Sequence, residues 1–297
     1  MTVLSTLSGD IAAVVDSAGK SVVQVDARRG ISASGVLWMP GDLVVTANHV
    51  LTRDEGIQVG FGSEKTVEAT LVGRDPTTDL ALLRLGNKTG PSTDWTGTGA
   101  LKVGHLVLAL GRPGRTVRAV LGIVAAFGES WRTSAGGVID NYIQTDASSP
   151  PGFSGGPLVD VEGKVLGVTS SGLVRGATVT VPTSTVKAVV DELLKRGRIS
   201  RGYLGVGIQP ARLPADVSRQ VGQETGLLII SVDPGSPGEK AGLVLGDTIL
   251  ALGEKPVRHW DDLLASLGKD QIGATVPVRV LRAGRLQEVK ATIGERP

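Results

Sequence analysis

Ser154 stands inside "PPGFSGGPLVD" (150–160), surrounded by three glycines and three prolines. Glycine reaches backbone conformations closed to other residues, and proline fixes φ, so this stretch holds its serine in a specified shape. A serine hydroxyl is a weak nucleophile until a base takes its proton. The usual base is histidine, whose pKa lies near neutrality. Only three histidines exist: His49, His105 and His259. His49 closes the strand-like run "LVVTANHVL", His105 precedes "LVLALG" in what reads as an exposed turn, and His259 lies beside Trp260. A third group, a carboxylate, must hold the imidazole in the correct tautomer. "RDPTTDLALLRL" offers Asp75 and Asp79. Asp75 precedes Pro76, a common place for a turn or cap residue, whereas Asp79 abuts the apolar run. Asp79 is therefore the better orienter.

The chain order His49, Asp79, Ser154 is that of chymotrypsin-like barrels, not of hydrolases with a nucleophile elbow. The tetrahedral intermediate of acyl transfer carries an oxyanion that needs preorganised N–H donors. A turn through Gly152, Phe153 and Ser154 can aim the amides of Gly152 and Ser154 at one point. A simple glycine-rich hairpin explains the glycines equally well but leaves the partners unexplained. The residues alone leave both readings open. The three histidines lack metal-ligand spacing, no cysteine is present, and nothing resembles a nucleotide-binding loop. No metal or cofactor is expected.

The elements that must position these groups are mostly strands. "SVVQVDA", "SGVLWM", "LVVTA", "IQVGF", "TVEATLVG", "LALLRL", "LVLALG", "VRAVLGIVAAF", "NYIQTD", "PLVD", "KVLGVTSS" and "ATVTVP" follow one another with turn residues between them. That succession predicts a sandwich or barrel rather than βαβ units. A short helix is expected over residues 4–19. In "STVKAVVDELLKRG", Val186, Val189, Val190, Leu193 and Leu194 keep a period near 3.6, so it reads as a helix ended by Gly197. The boundary falls near residue 200, giving domains 1–200 and 201–297. The second is a compact α+β module with a helix "HWDDLLASLG" and a hairpin turning at Ala283–Gly284.

Aromatics are only 3% of the chain, so Val, Leu, Ile and Ala must fill the cores. The net charge of +2 comes without a basic tract interleaved with aromatics, which argues against nucleic acid. "LLKRGRISRG" (193–202) reads as a solvated helix end and linker. No run of 18 apolar residues exists, so no membrane-spanning helix is expected. The N-terminus lacks the basic and apolar regions of a signal peptide. As written the chain reads as cytoplasmic, or as belonging to the cell envelope or exterior if a leader or anchor has been removed.

Several blocks carry a resemblance. "TANHVL", "DPTTDLALLRL", "VLALGRPG", "IQTDASSPPGFSGGPLVD" and "GVTSSG" resemble, in order, the HtrA (Deg) family of serine proteases. "GYLGV", "GLLIISVDPGSPGEKAGLVLGDTILALGEKPV" and "DDLLASL" resemble that family's PDZ domain. The resemblance covers about residues 10–293. It implies a mainly β fold: a chymotrypsin-like double β-barrel followed by a small α+β PDZ domain. It implies His49, Asp79 and Ser154 as the triad and the Gly152 and Ser154 amides as the oxyanion hole. It also implies a homotrimer or larger cage acting on unfolded or damaged proteins. The short "ARRGISASG" segment, where some relatives carry a long loop, favours the simple trimer. Phe153 departs from the family's usual Asn before the serine; its side chain is expected to point away from the oxyanion, which leaves the amide geometry intact, with an apolar ring at the mouth of the site altering substrate contact. Asn48 departs from the small residue common before the histidine.

The resemblance also locates a specificity pocket. A trypsin-like pocket needs an acid at its floor to pair a buried cation. Here Ser148 takes that place, with Ser149 beside it and Thr169, Ser170 and Ser171 on the opposite wall. Small or medium aliphatic residues are therefore expected at the cleavage site. PDZ modules bind peptide C-termini as an added strand. Tyr203, Leu204 and Gly205 are expected to capture the carboxylate. Leu204, Val206 and Ile208, with Leu263, Leu264 and Leu267, are expected to line the groove. The competing class is a non-catalytic peptide-binding or chaperone-like protein on a protease scaffold.

Overall fold

The apolar alternation of the first six strand-like runs closes into a barrel. In the computed structural model, which describes residues 2–39, 41–62, 66–86, 90, 91, 94, 95 and 97–295, the chain divides into two units, 1–199 and 200–297. In the first barrel the strands are β1 (Val22–Asp26), β2 (Ala33–Trp38), β3 (Leu43–Ala47), β4 (Ile57–Gly60), β5 (Thr66–Asp75) and β6 (Leu80–Leu85). They join in the closed order β1-β2-β3-β6-β5-β4. Val23, Val25, Leu37, Val44, Ile57, Val59 and Leu83 fill the interior and are fully buried.

The second barrel comprises β7 (Leu106–Gly111), β8 (Arg118–Gly128), β9 (Tyr142–Thr145), β10 (Pro157–Val159), β11 (Val165–Val174) and β12 (Ala177–Pro182). Its closed order, β7-β8-β9-β12-β11-β10, repeats the topology of the first. No sequence repeat announces this, because a strand pattern is satisfied by any β-branched or aliphatic residue on the inward face. Phe153 lies in this barrel's core with Val107, Val124, Ile143 and Leu158. The first unit is therefore a mainly β, chymotrypsin-like double barrel.

Two helices brace it. Helix α1 (Val3–Ala18) is N-capped by the Thr2 hydroxyl, which accepts from the Ser5 amide. Its Ile11, Val14 and Val15 pack on Leu108, Leu110 and Val159. Helix α2 (Thr183–Arg196) buries Val186, Val189, Val190 and Leu193 against Val36, Val45 and Leu82 of the first barrel. It ends as its periodicity indicates: the Gly197 amide donates to Leu193 O.

The second unit is a small α+β domain. Strands β13 (Val206–Arg212), β14 (Thr225–Val232), β15 (Thr248–Leu252), β16 (Thr275–Arg282) and β17 (Arg285–Thr292) run in that order across one sheet, so β13 and β17 are its edges. Helices α3 (Ala215–Val221), α4 (Pro237–Lys240) and α5 (Trp260–Ser266) complete it. Helix α3 was not expected from the sequence. It is two turns long and buries only Val217, too little for a periodic pattern. The β16–β17 hairpin turns at Ala283 and Gly284, both at positive φ (47° and 78°), the geometry of a tight two-residue hairpin turn.

Candidate active site

His49 lies in a single 3-10 turn, Asn48–Val50, directly after β3. Asp79 lies in the turn before β6, at φ 57. A left-handed non-glycine residue is uncommon, and Asp tolerates it better than most. Three contacts tie the two loops together. His49 Nδ1 lies 2.7 Å from Asp79 Oδ2. The His49 amide donates to Asp79 Oδ1 at 2.8 Å, and the Asn48 amide donates to Asp79 O at 3.0 Å. Asp75 is engaged elsewhere: Thr77 N–H and both the Thr77 and Thr78 hydroxyls donate to its carboxylate, building the turn that delivers Asp79.

The Asp79 carboxylate is 6% exposed, while the His49 side chain is 32% exposed. The Ser170 hydroxyl donates to Asp79 Oδ2 at 2.5 Å. Gly172 packs over the pair; a methyl there would lie 2.7 Å from His49 Nδ1. The other histidines are elsewhere. His105 is exposed in the turn before β7, and His259 caps α5, its amide donating to Asp262 Oδ2.

Ser154 lies in the tight turn leading into β10. Gly152 has φ +92, and a methyl there would approach Pro113 Cβ to 2.5 Å and Ser32 O to 2.7 Å. The turn is pinned from both barrels. The buried Ser34 hydroxyl on β2 donates to Gly152 O at 2.6 Å and accepts from the Arg112 amide at 2.7 Å. The Ser34 amide donates to Ser154 O at 3.2 Å. Phe153 O accepts from the Gly156 amide and the Thr169 hydroxyl. A trans peptide points its N–H opposite to its C=O, so these bonds also set the direction of the Ser154 N–H. Among the described residues, neither the Gly152 nor the Ser154 amide donates to a protein group. Two unpaired donors on one rigid turn are what an oxyanion hole requires. The Ser154 hydroxyl itself lies 2.9 Å from that of Ser171 and is not hydrogen-bonded to His49.

Two expectations are corrected. Phe153 is 1% exposed, so its ring is in the barrel core and not at the mouth of the site. Gly111 makes room for it, since a methyl there would meet the ring at 2.9 Å. Thr169 and Ser170 do not offer their side chains to a specificity pocket. Both are 1% exposed, with hydroxyls committed to the turn around Ser154 and to Asp79. Ser148 and Ser171 are exposed and Ser149 is half-buried. Ser34, Arg112 and Gly172 had been given no role from the sequence. Their partners lie up to 118 residues away in the chain, and no local pattern signals such a contact.

A trypsin-like peptidase domain model matches residues 33–168, and a PDZ domain model matches residues 202–293. A probable periplasmic DegP-like serine endoprotease of Rhizobium meliloti is 36% identical over 273 residues, covering 89% of this chain and 53% of that protein. Its counterpart in Marinomonas sp. is 35% identical, covering 94% and 60%. The chain thus spans between half and two thirds of the length of these relatives. Among solved structures, the serine endoprotease from Yersinia pestis is 29% identical with a TM-score of 0.74, covering 97% of this chain and 98% of that one. The HtrA-type protease AlgW with a decapeptide is 25% identical with a TM-score of 0.74, covering 97% and 99%. The chain is a trypsin-like peptidase domain followed by a PDZ domain, and it is similar over nearly its whole length to HtrA-type proteases.

The PDZ domain presents β13 as an open edge beside α5. Leu204 and Leu263 are buried in the domain core, with Val206, Ile208 and Leu267 partly buried against them. Leu264 is also partly buried. Leu267 is the C-cap of α5 rather than a helical residue. The Leu204 and Gly205 carbonyls accept from the Gly238 and Asp233 amides. Among the described residues the amides of Leu204 and Gly205 have no protein acceptor. The Tyr203 hydroxyl donates to Asp233 Oδ2.

Proposed function

We propose that this chain is an ATP-independent serine endopeptidase with His49, Asp79 and Ser154 as its triad. The observation that carries this reading is the His49–Asp79 pair at 2.7 Å, doubled by the amide bond to Oδ1 and facing a turn with two unpaired amides. In the reaction, Ser154 Oγ forms a bond to the substrate carbonyl carbon as His49 Nε2 takes its proton. The Gly152 and Ser154 amides receive the oxyanion. His49 then returns the proton to the leaving amine as the C–N bond breaks. Water repeats the sequence on the acyl-enzyme. Before attack, the Ser154 hydroxyl must turn from Ser171 toward His49, and catalytic hydrogen bonds commonly tighten only in the substrate complex.

The substrates proposed are unfolded or damaged proteins with small or medium aliphatic residues at the cleavage site, beside Ser148, Ser149 and Ser171. The absence of a carboxylate among these residues supports that preference over a cationic one. The PDZ groove is proposed to take peptide C-termini, supported by the unpaired Leu204 and Gly205 amides at an open strand edge. A homotrimer is proposed as the assembly. Its support is an apolar stretch on α1, where Val3, Leu4 and Leu7 are 85%, 77% and 42% exposed.

One observation favours a non-catalytic scaffold instead: Ser154 pairs with Ser171 and not with His49. A fluorophosphonate probe separates the two readings. Stoichiometric labelling that disappears in Ser154→Ala supports the endopeptidase; an unlabelled native protein supports the scaffold.

A further inference from the structure

Arg112 directly follows β7 and is 9% exposed. A buried charge is ordinarily paired with an opposite one, because leaving water is costly. Arg112 reaches only backbone carbonyls with its guanidinium. Nε donates to Val22 O at 2.6 Å, Nη1 to Arg115 O at 2.9 Å and Nη2 to Gly19 O at 3.1 Å. Among the described residues no carboxylate pairs with it, and burial lowers its pKa from the ordinary value. A planar fork of donors can bridge several fixed carbonyls at once, which the compact ammonium of a lysine cannot do. The enclosure is tight: a methyl on Gly62 would collide with Nη1.

The three carbonyls belong to two separate segments. Gly19 and Val22 lie where α1 passes into β1, around the 3-10 turn Gly19–Ser21. Arg115 lies in the loop between β7 and β8. One side chain thus ties that loop to the chain entering the first barrel. The loop in turn reaches the turn around Ser154 by two routes. The Arg112 amide donates to Ser34 Oγ at 2.7 Å, and that hydroxyl donates to Gly152 O at 2.6 Å. Pro113 packs where a Gly152 side chain would project, its Cβ 2.5 Å from an added methyl. With its carbonyl held and its Cα covered, Gly152 has little freedom to redirect its amide.

We infer that Arg112 is a positioning residue for the proposed oxyanion donors: by tying the loop after β7 to the α1–β1 junction, its guanidinium sets the place of Ser34 and Pro113, and through them the aim of the Gly152 amide. This rests on the proposed endopeptidase reading and assigns a further residue to it. Arg112 touches neither substrate nor the reacting atoms. Its loss displaces an oxyanion donor without removing it. The effect on kcat is therefore expected to be roughly 10- to 100-fold, below the roughly 10²–10³ of deleting a donor.

The test uses the full chain with Arg112→Met, which keeps the length of the stem and removes the donors, and Arg112→Lys, which keeps the charge and loses the fork. Cleavage of a quenched fluorescent peptide is read per active site titrated with a fluorophosphonate. In Arg112→Met, kcat and kcat/KM are expected to fall together with KM little changed, the mark of an interaction made in the transition state alone. Arg112→Lys is expected to fall between this variant and the native chain. Affinity for a peptide aldehyde, whose adduct with Ser154 places an oxygen in the oxyanion hole, is expected to fall in parallel with kcat. Binding of the uncleaved peptide in a Ser154→Ala background is expected to be unchanged by either substitution. Native kcat and native aldehyde affinity in Arg112→Met, even with a lowered melting temperature, overturn the inference, as does weakened binding of the uncleaved peptide. If Arg112→Met does not fold, Arg112→Lys decides, and native values for it overturn the inference. A native chain that neither takes the fluorophosphonate nor binds the aldehyde sinks the endopeptidase reading; one that does both, matched by its Arg112 variants, sinks the positioning role alone.

Discussion

Asp79 holds its backbone at φ 57 because four partners converge on it: the amides of Asn48 and His49, the His49 ring and the Ser170 hydroxyl. Such strain persists where the surroundings over-determine a residue. Asp79→Asn is expected to keep the fold and lower kcat by about 10⁴, because the amide favours the wrong imidazole tautomer. Asp75→Asn is expected to spare the tautomer but weaken the turn built by Thr77 and Thr78, lowering the melting temperature more than kcat. The reverse outcome would exchange the roles of the two carboxylates. Ser34 acts through the turn, not on substrate. Ser34→Ala strands a buried carbonyl and a buried amide, a loss of about 1–3 kcal/mol for each unpaired group. The expected kinetic signature is a kcat reduced by up to about 10² with KM little changed, as the oxyanion donors lose their aim. An unchanged kcat with lowered stability would leave Ser34 a purely structural residue.

At the scale of elements, the turn around Ser154 depends on a conformation that only glycine adopts easily. Gly152→Ala meets Pro113 and Ser32 O at contact distances no Cβ tolerates, so the Gly152 amide must move. The expected loss is about 10²–10³ in kcat, the value of one oxyanion donor. Circular dichroism should show the barrels intact. In the PDZ domain, the amides of Leu204 and Gly205, just before the open edge of β13, have no protein acceptor among the described residues and suit a carboxylate. Amidating a peptide C-terminus removes a charge-assisted acceptor worth about 1.5–3 kcal/mol. Calorimetry on the full Ser154→Ala chain is therefore expected to show roughly ten- to hundred-fold weaker binding of the amide. Equal affinities would mean that the groove reads internal segments.

For the whole molecule, the two units have separate cores and are expected to melt separately. Asp247 marks the second. It is fully buried, and Arg282 grips both its oxygens at 2.7 Å. Burial alone would raise its pKa. The Arg282 hydrogen bonds, the Val244 amide and the Arg282 charge outweigh burial, and the carboxyl titrates below its usual range. A depressed folded pKa adds stability above the unfolded value of about 3.9, and that stability is lost as pH falls through the folded value. The PDZ unit is thus expected to lose stability below about pH 4. Arg282→Met leaves a buried carboxylate unpaired, with a loss near the low end of about 3–5 kcal/mol at neutral pH, because Arg282 is 29% exposed. The sign then inverts: burial raises the carboxyl, and the variant gains stability as pH falls toward 5. Differential scanning calorimetry across pH, resolving the two transitions, checks both slopes.

Local pattern made much of this protein readable before any coordinates. Alternating apolar residues mark strands because side chains on a strand alternate faces. The 3.6 period of residues 183–196 marks α2, and the residue types around Ser154, His49 and Asp79 name a chemistry. What local pattern could not carry is which distant segments touch. Ser34 meets Gly152 across 118 residues, and Ser170 meets Asp79 across 91. Both contacts exist because two barrels of the same topology face each other, a repeat absent from the sequence. Phe153 reads locally as an apolar ring at the mouth of the site, turned from the oxyanion. Tertiary packing buries it, because Gly111 on β7 leaves the space it fills. Thr169 and Ser170 read as pocket wall, but barrel closure turns their hydroxyls inward to hold the turn and the carboxylate. Residue type limits what a side chain can do, and the non-local closure of the sheets decides which partner receives it.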